Sequence, residues 1–279
     1  MTEPWVRRKM LIIGKTYPAY SKKYRETACT GAMFCDTFEM IRLYPIPYRY
    51  LEGPQAFKSW QIIEAEVQRD ESDPRPESYK IKFRTIDLGD RVTNHEERRA
   101  YLERSPHFCK SVGDLRRRQK NESISLGILQ PKAILDCEIL PRDEYERDLH
   151  YEKEKEVLAQ ILLFEKDAKP LDFIEAKFRI TWECRGDCEQ PKHAMYLHQW
   201  GIHELFRKYR MDPEEGKTKI LQAMWSQLDL TKRDVFLFLG SFRTTLWNFG
   251  LMDSYSPPRR DQMLLVPNFP LGELEDDFR

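Results

Sequence analysis

The stretch ETACTGAMFCDTFEMIRLYPIPYRY, residues 26–50, predicts two short strands in succession. Thr27–Met33 and Glu39–Tyr44 are rich in β-branched and apolar residues, and prolines follow the second run, where a strand tolerates them. Met10–Gly14 and Ile62–Val67 are further runs of the same type. Short strands at such spacing are typical of a small barrel or sandwich. We therefore expect the N-terminal part of the chain to be a β-barrel.

The same stretch resembles the dual OB-fold domains of prokaryotic proteins of poorly defined function. In those domains a strand with a cysteine–variable–small–glycine motif pairs with a strand that reads tryptophan–isoleucine–arginine–proline. The matching residues here are Cys29 and Gly31 in the first strand and Ile41, Arg42 and Pro45 in the second. Met40 stands where tryptophan is usual, and two residues separate Arg42 from Pro45. The resemblance implies an oligonucleotide-binding type of barrel of the kind found in mobile-element and phage-defence settings.

Charge is distributed unevenly along the 279 residues, although Lys+Arg and Asp+Glu are equal at 46 each. Residues 1–120 carry 24 basic and 17 acidic side chains, a net charge of +7, so the remainder carries −7. The overall balance argues against a protein that is basic throughout. The asymmetry instead predicts an N-terminal half that meets a polyanion.

The sequence also indicates where in the cell the protein is expected. No stretch approaches the roughly 20 apolar residues that a membrane helix needs, and the start of the chain lacks the apolar segment and cleavage site of a secretory signal. Six scattered cysteines in a chain of this size do not resemble a disulfide framework. We therefore expect a cytoplasmic protein with reduced thiols and no membrane partner.

Basic and aromatic residues alternate densely in residues 15–26 and 42–50, a pattern that suits single-stranded nucleic acid. The candidate phosphate contacts are Lys15, Lys22, Lys23, Arg25, Arg42 and Arg49. Tyr17 and Tyr44 are the candidates for stacking on bases. The alternative is that the tyrosines lie at barrel rims and the lysines only solvate the surface. The run Arg116–Arg118 leaves a similar choice between a solvated helix face and a phosphate clamp.

The pattern predicts an α+β fold in two domains: an OB-like β-barrel with helical insertions over 1–145, and a smaller α+β domain over 146–279. Helices are expected at His95–Arg104 and Val112–Lys120 in the first domain. In the second, Asp172–Cys184 alternates apolar and polar residues as a half-buried strand does. Ala194–Tyr209 is predicted as a helix, and a further helix follows with Asp212 as its N-cap.

A cysteine–histidine cluster lies where the predicted strand Asp172–Cys184 ends and the predicted helix Ala194–Tyr209 begins. Cys184, Cys188, His193 and His198 supply the thiolates and imidazoles that tetrahedral zinc prefers. On a helix, His198 and His203 would diverge by about 140°, so His203 is left out of the ligand set. The expected cofactor is therefore zinc, which would stabilise the second domain. The alternatives are a buried reduced cysteine pair with packed histidines, and a thiol redox site.

A catalytic alternative rests on the polar face of the same strand. Glu175 and Lys177 with Asp172 upstream are one part of a Mg²⁺-dependent nuclease, in which Asp136 or Glu138 on a neighbouring strand would complete the site. Opposite charges are also common on any solvated strand face.

We expect a non-enzymatic nucleic-acid-binding or adaptor protein, a subunit of a phage-defence or nucleic-acid-processing complex, that contacts DNA or RNA through its N-terminal half and protein partners elsewhere. The alternatives are the Mg²⁺ nuclease and a pure interaction scaffold.

Overall fold

The computed structural model describes residues 3–21, 25–51, 55–162 and 170–263. The first part of the chain closes into a five-stranded barrel. Its strands are β1 (Val6–Lys15), β3 (Arg25–Phe34), β4 (Met40–Ile46), β6 (Ser78–Ile81) and β5 (Gln61–Arg69), in this spatial order. β1 pairs with β3 through its second half and with β5 through its first half, which closes the ring. The predicted N-terminal β-barrel is confirmed, and its path is consistent with an OB-like fold.

The alternation of side chains explains how this barrel fills its interior. Ala32 and Phe34 of β3 and Ile41 and Leu43 of β4 are buried in the barrel core. Their neighbours in sequence point outward because successive strand residues face opposite sides. Two short strands extend the sheet: β2 (Ala19–Ser21) pairs with β3, and β7 (Asp87–Arg91) pairs with β5.

A second, six-stranded sheet follows. Its strands are β8 (Leu126–Leu129), β9 (Pro131–Pro141), β10 (Ala176–Cys184), β11 (Lys192–Leu197), β12 (Phe236–Phe242) and β13 (Thr245–Tyr255). Their spatial order is β8-β12-β13-β11-β10-β9, and β11 and β13 are parallel. Gln130 alone separates β8 from β9. If β8 and β9 are counted as one strand, this sheet follows the same path as the first.

Six helices accompany the sheets in the described residues. They are α1 (His95–Arg104), α2 (Val112–Glu122), α3 (Glu144–Leu162), α4 (Trp200–Lys208), α5 (Pro213–Gln227) and α6 (Arg260–Met263). Asp212 caps α5 as predicted, since its carboxylate accepts the Glu215 N–H. The prediction of one helix over Ala194–Tyr209 was wrong. Its first part is strand β11, because those residues pair with β10, Trp182 opposite His193.

The two sheets share a buried apolar layer. Leu11 and Met33 on the outer side of the first barrel pack with Leu126 and Phe236 of the second sheet. β8 and β9 pair with strands of the second sheet, so that sheet begins at Leu126, ahead of the boundary predicted between 145 and 146. Among the described residues, no helix combines the length and apolar character needed to cross a membrane.

Candidate metal centre and basic surfaces

Arg42, a predicted phosphate contact, is buried between the two sheets. Its guanidinium donates to the hydroxyl and the carbonyl oxygen of Ser125, at 2.6 Å each, and lies 3.8 Å from the Glu77 carboxylate. Glu77 in turn accepts from the Ser125 N–H and hydroxyl. Burial lowers the pKa of Arg42 to about 10, which leaves it charged at neutral pH. This side chain therefore links β4 to the start of β8.

Lys15 and Tyr17 also contact the second domain. The Lys15 ammonium lies 3.5 Å from the ring centroid of Tyr48 and 5.5 Å from that of Trp200, within the range of a cation–π interaction. The Tyr17 ring stacks on His203 at 5.2 Å, and its hydroxyl donates to the backbone oxygen of Asp172. Burial raises the pKa of Tyr17. Both side chains are thus engaged within the protein.

The other predicted nucleic-acid contacts have different surroundings. Arg49 donates to Glu26 and to the carbonyl oxygen of Pro170, at 2.8 and 2.7 Å. Tyr44 is 38% exposed on β4. Arg25 begins β3. Lys22 and Lys23 lie outside the described residues. Several side chains of the basic and aromatic stretch therefore make contacts within the protein. The composition of the stretch alone does not tell such contacts from contacts with a ligand.

Helix α2 carries exposed positive charge. Arg116 and Lys120 are exposed on it, Lys110 is exposed just before it, and none of the three has an ion-pair partner among the described residues. Arg117 pairs with Asp114 at 3.3 Å. The helix begins after Ser111, whose hydroxyl accepts the Asp114 N–H. The chain thus presents uncompensated positive charge on one exposed helix of its basic half.

Three of the four predicted metal ligands lie together. Cys184 ends β10, Cys188 lies in the following turn, and His193 lies near the start of β11. One ligand atom from each residue lies within 4.8 Å of the other two, and Cys188 Sγ is 3.4 Å from His193 Nε2. These three side chains can hold a metal ion. In the part of the chain that the structure describes, they form the one group of histidine, cysteine or acidic residues with this geometry.

The start of α2 packs against this cluster. The Val112 N–H donates to Cys184 Sγ at 3.4 Å, and the Ser111 hydroxyl donates to the backbone oxygen of Asp187 at 3.0 Å. A Cβ on Gly113 would lie 3.4 Å from Cys188 Sγ. Sequence reasoning missed this contact, because about 70 residues separate the helix from the cluster and no local pattern relates them.

Protonation follows burial at the cluster. Burial raises the pKa of the Cys184 thiol to about 11 and lowers the pKa of His193. Neutral imidazole is the form that binds a metal, whereas the thiol must lose its proton. A bound cation would therefore favour the thiolate form of Cys184, against the effect of burial on its pKa. At His193 it would bind the neutral imidazole, the form that burial already favours.

His198 is not part of the cluster, which corrects its assignment as a fourth ligand. It follows β11 at the end opposite His193, five residues along an extended chain, or roughly 16 Å. Its ring lies 5.9 Å from that of Phe242, and burial lowers its pKa to about 4. The assignment used ligand type and spacing along the sequence, and the extended strand β11 separates the two histidines. His203 Nδ1–H donates to the backbone oxygen of Gln199, just before α4, and His203 also lies outside the cluster.

The residues of the nuclease alternative do not form one site, and three of them are held in separate ion pairs. Lys177 lies 2.7 Å from Glu146 of α3, and Asp172 lies 3.5 Å from Arg207. The neighbouring-strand candidates are Asp136, opposite Thr181, and Glu138, which pairs with Arg179 at 2.7 Å. Glu175 is exposed just before β10. The described residues bring no three carboxylates together in a metal-binding group.

The comparisons with known proteins agree with a division into two parts. Residues 6–104 match a family model described as Domain of unknown function (DUF8758), and residues 108–270 match one described as Domain of unknown function (DUF8757). The curated proteins gave no match. The first match covers the closed barrel with α1, and the second covers the six-stranded sheet with the cysteine–histidine cluster. Because the second match covers more than half of the chain, the chain belongs to the DUF8757 family.

Proposed function

We propose that this chain is a non-enzymatic nucleic-acid-binding protein that contacts phosphates through the exposed face of α2 and acts as an adaptor in a phage-defence or nucleic-acid-processing complex. The observation that carries the proposal is the exposure of Lys110, Arg116 and Lys120 without an ion-pair partner among the described residues. Unpaired basic side chains on one surface are the electrostatic requirement for binding a phosphate backbone.

The distribution of charge supports this surface over the stretch at the start of the chain. Arg42 and Arg49 have carboxylate partners within the protein, and Lys15 packs on aromatic rings. Arg116 and Lys120 are four residues apart on a helix, so their side chains lie on the same face. Part of the positive charge of residues 1–120 is thus left without an ion pair at α2, whereas Arg42 and Arg49 are paired within the protein.

Binding of labelled oligonucleotides across a salt series tests the proposal. We expect the affinity for single-stranded DNA or RNA to fall steeply with salt, because phosphate contacts release counterions. Arg116→Glu/Lys120→Glu should weaken binding at least about tenfold and reduce the salt slope by about 2, roughly one per lost contact.

The matched control is Lys217→Glu/Lys219→Glu, which makes the same charge change at two exposed positions of α5. It should bind as the unmodified protein does. Equal loss in both double variants would show a general charge effect, and a flat salt response would remove the phosphate surface altogether.

We also propose that the ion at Cys184, Cys188 and His193 is zinc, with a stabilising rather than catalytic role. Two thiolates and an imidazole are zinc ligands of the usual types. Purified protein should contain about one Zn²⁺ per chain, and Cys184→Ser should lose it. Cys35→Ser, at a half-buried cysteine outside the cluster, is the control and should retain it. Protein purified under reducing conditions without metal, or with iron, would overturn the assignment.

A further inference from the structure

We propose that zinc at the Cys184–Cys188–His193 centre keeps its fourth coordination position for an anionic oxygen ligand from outside the chain, of the phosphate class. The inference rests on the proposed zinc ion and does not require that α2 bind nucleic acid.

The number of protein ligands is the first step. Zinc in proteins is nearly always four-coordinate, and three protein ligands mark a site with a position open to water or substrate. Among the described residues, no fourth histidine, cysteine or acidic side chain has a ligand atom within 4.8 Å of the other three. Usual zinc bond lengths place sulfur and nitrogen about 3.6 Å apart in a tetrahedron. The observed 3.4 Å between Cys188 Sγ and His193 Nε2 fits one edge of it.

The nearby carboxylates are the second step. Asp114 accepts the Lys110 N–H and pairs with Arg117, and Glu183 pairs with Lys132 at 2.7 Å. Neither carboxylate belongs to the group whose ligand atoms lie within 4.8 Å of one another. Asp187 and Glu189 are exposed in the turn around Cys188. They are the remaining candidates within the chain for the fourth ligand. Substitution of each carboxylate distinguishes them from a ligand that comes from outside the chain.

Charge is the third step. Two thiolates neutralise Zn²⁺, so the centre itself has no net charge. Val112 of α2 donates its N–H to Cys184 Sγ, and the exposed Arg116 lies about one turn further along the same helix. The start of α2 also faces the cluster, and a helix N-terminus favours an anion. The centre is neutral overall, so the helix N-terminus and the exposed Arg116 favour an anionic oxygen over water as the fourth ligand.

Access is the fourth step. Arg185, Gly186 and Asp187, which connect the two cysteines, are exposed, and Cys188 is partly exposed. Cys184 belongs to the apolar core on the buried face of β10, and Cys188 packs at the edge of that core, so the ion position lies where the core meets the exposed turn. A small anion can approach from the turn.

Cobalt substitution tests the inference on the full chain. Co²⁺ in place of zinc reports its ligands through visible absorption, and inorganic phosphate is added at constant ionic strength against chloride. We expect a saturable change of the ligand-field bands with phosphate only. Arg116→Gln should weaken that response about tenfold, the size expected for one charge-assisted hydrogen bond. Lys219→Gln, an exposed control on α5, should leave it unchanged.

The outcomes separate the two proposals. If Co²⁺ and Zn²⁺ do not bind, the proposed zinc site fails. If Co²⁺ binds with thiolate charge-transfer bands but phosphate leaves the spectrum unchanged, the open position is overturned while the zinc site stands. A spectrum altered by Asp187→Asn or Glu189→Gln would identify the carboxylate that fills the position instead. An equal response to chloride would exclude selectivity for oxygen anions.

Discussion

Arg42 shows how a single residue can be assigned the wrong environment from its neighbours in sequence. It lies among tyrosines and prolines in a basic stretch, and this context resembles a nucleic-acid contact. In the fold its partners are Ser125 and Ser241, which are 83 and 199 residues away along the chain. Arginine suits both roles because its planar group donates several hydrogen bonds at once. Burial, which local sequence does not reveal, decides between them.

Removing the charge of Arg42 should therefore destabilise the protein strongly. Arg42→Met leaves the buried Glu77 carboxylate without its cation, and the expected loss is about 3–5 kcal/mol of unfolding free energy. Arg42→Met/Glu77→Gln should lose less than the sum of the single changes, because the uncompensated charge disappears. Chemical denaturation of the three variants measures the coupling.

Arg147→Met is the matched control, since Arg147 pairs with Glu144 at 3.7 Å on the exposed side of α3. An exposed pair of this kind contributes about 0–1 kcal/mol. A loss at Arg42 no larger than that of the control would mean that the link between the sheets carries little stability.

At the scale of elements, helices and strands with a strong hydrophobic periodicity or a clear capping residue could be predicted from the sequence. Helix α1 has the predicted bounds, and Asn94 caps it by accepting two backbone N–H groups. β10 alternates buried and half-buried residues along its length, as predicted from period two. β11 was missed because Lys192–Leu197 is short and contains alanine, methionine and leucine, which favour helices. Pairing with β10 overrides that preference, and pairing partners are not visible in a local window.

The same reasoning explains which part of the candidate site was predictable. Cys184, Cys188 and His193 were found from ligand chemistry, because the two cysteines lie on either side of a glycine–aspartate turn and the histidine follows soon after in sequence. His198 was included on spacing alone, and spacing has a different meaning once the segment is a strand. The contact of α2 with the cluster depends on the packing of whole elements and could not be found from sequence.

At the scale of the whole molecule, the two sheets are joined through the outer side of the first barrel. Apolar side chains of β3 and β4 share a core with β8 and β12, and Arg42 lies beside it. In OB-folds the face formed by the second and third strands is where oligonucleotides bind. Those strands are β3 and β4 here, and the second domain contacts their outer face. Because the second domain contacts this face, the nucleic-acid surface that we propose lies elsewhere, on α2.

The histidines give this assembly a pH dependence. All six have a pKa lowered chiefly by burial, to about 3 for His203 and about 4 for His198. A histidine of this kind binds a proton near pH 6.5 in the unfolded chain but only at lower pH in the fold. The unfolded state therefore gains protons first, and stability falls as pH drops below about 6.5.

His203 allows this to be measured at the contact between the domains, where it stacks on Tyr17. Each such histidine contributes a slope of about 1.4 kcal/mol per pH unit once the unfolded side chain is fully protonated and the folded one is not. His203→Phe keeps an aromatic ring but removes the proton site. Between pH 6 and about 4.5, its unfolding free energy should fall less steeply than that of the unmodified protein, by about one proton.

Tyr17→Phe is the control, because it alters the same ring contact without changing a group that titrates in this range. Burial raises the pKa of Tyr17, which moves it further from acid pH. This variant can lower stability through the lost hydrogen bond to the Asp172 carbonyl oxygen, yet it should keep the slope of the unmodified protein. Denaturation at a series of pH values gives both quantities. An unchanged slope in His203→Phe would mean that the imidazole accepts a proton in the folded state, and that the contact tolerates the charge.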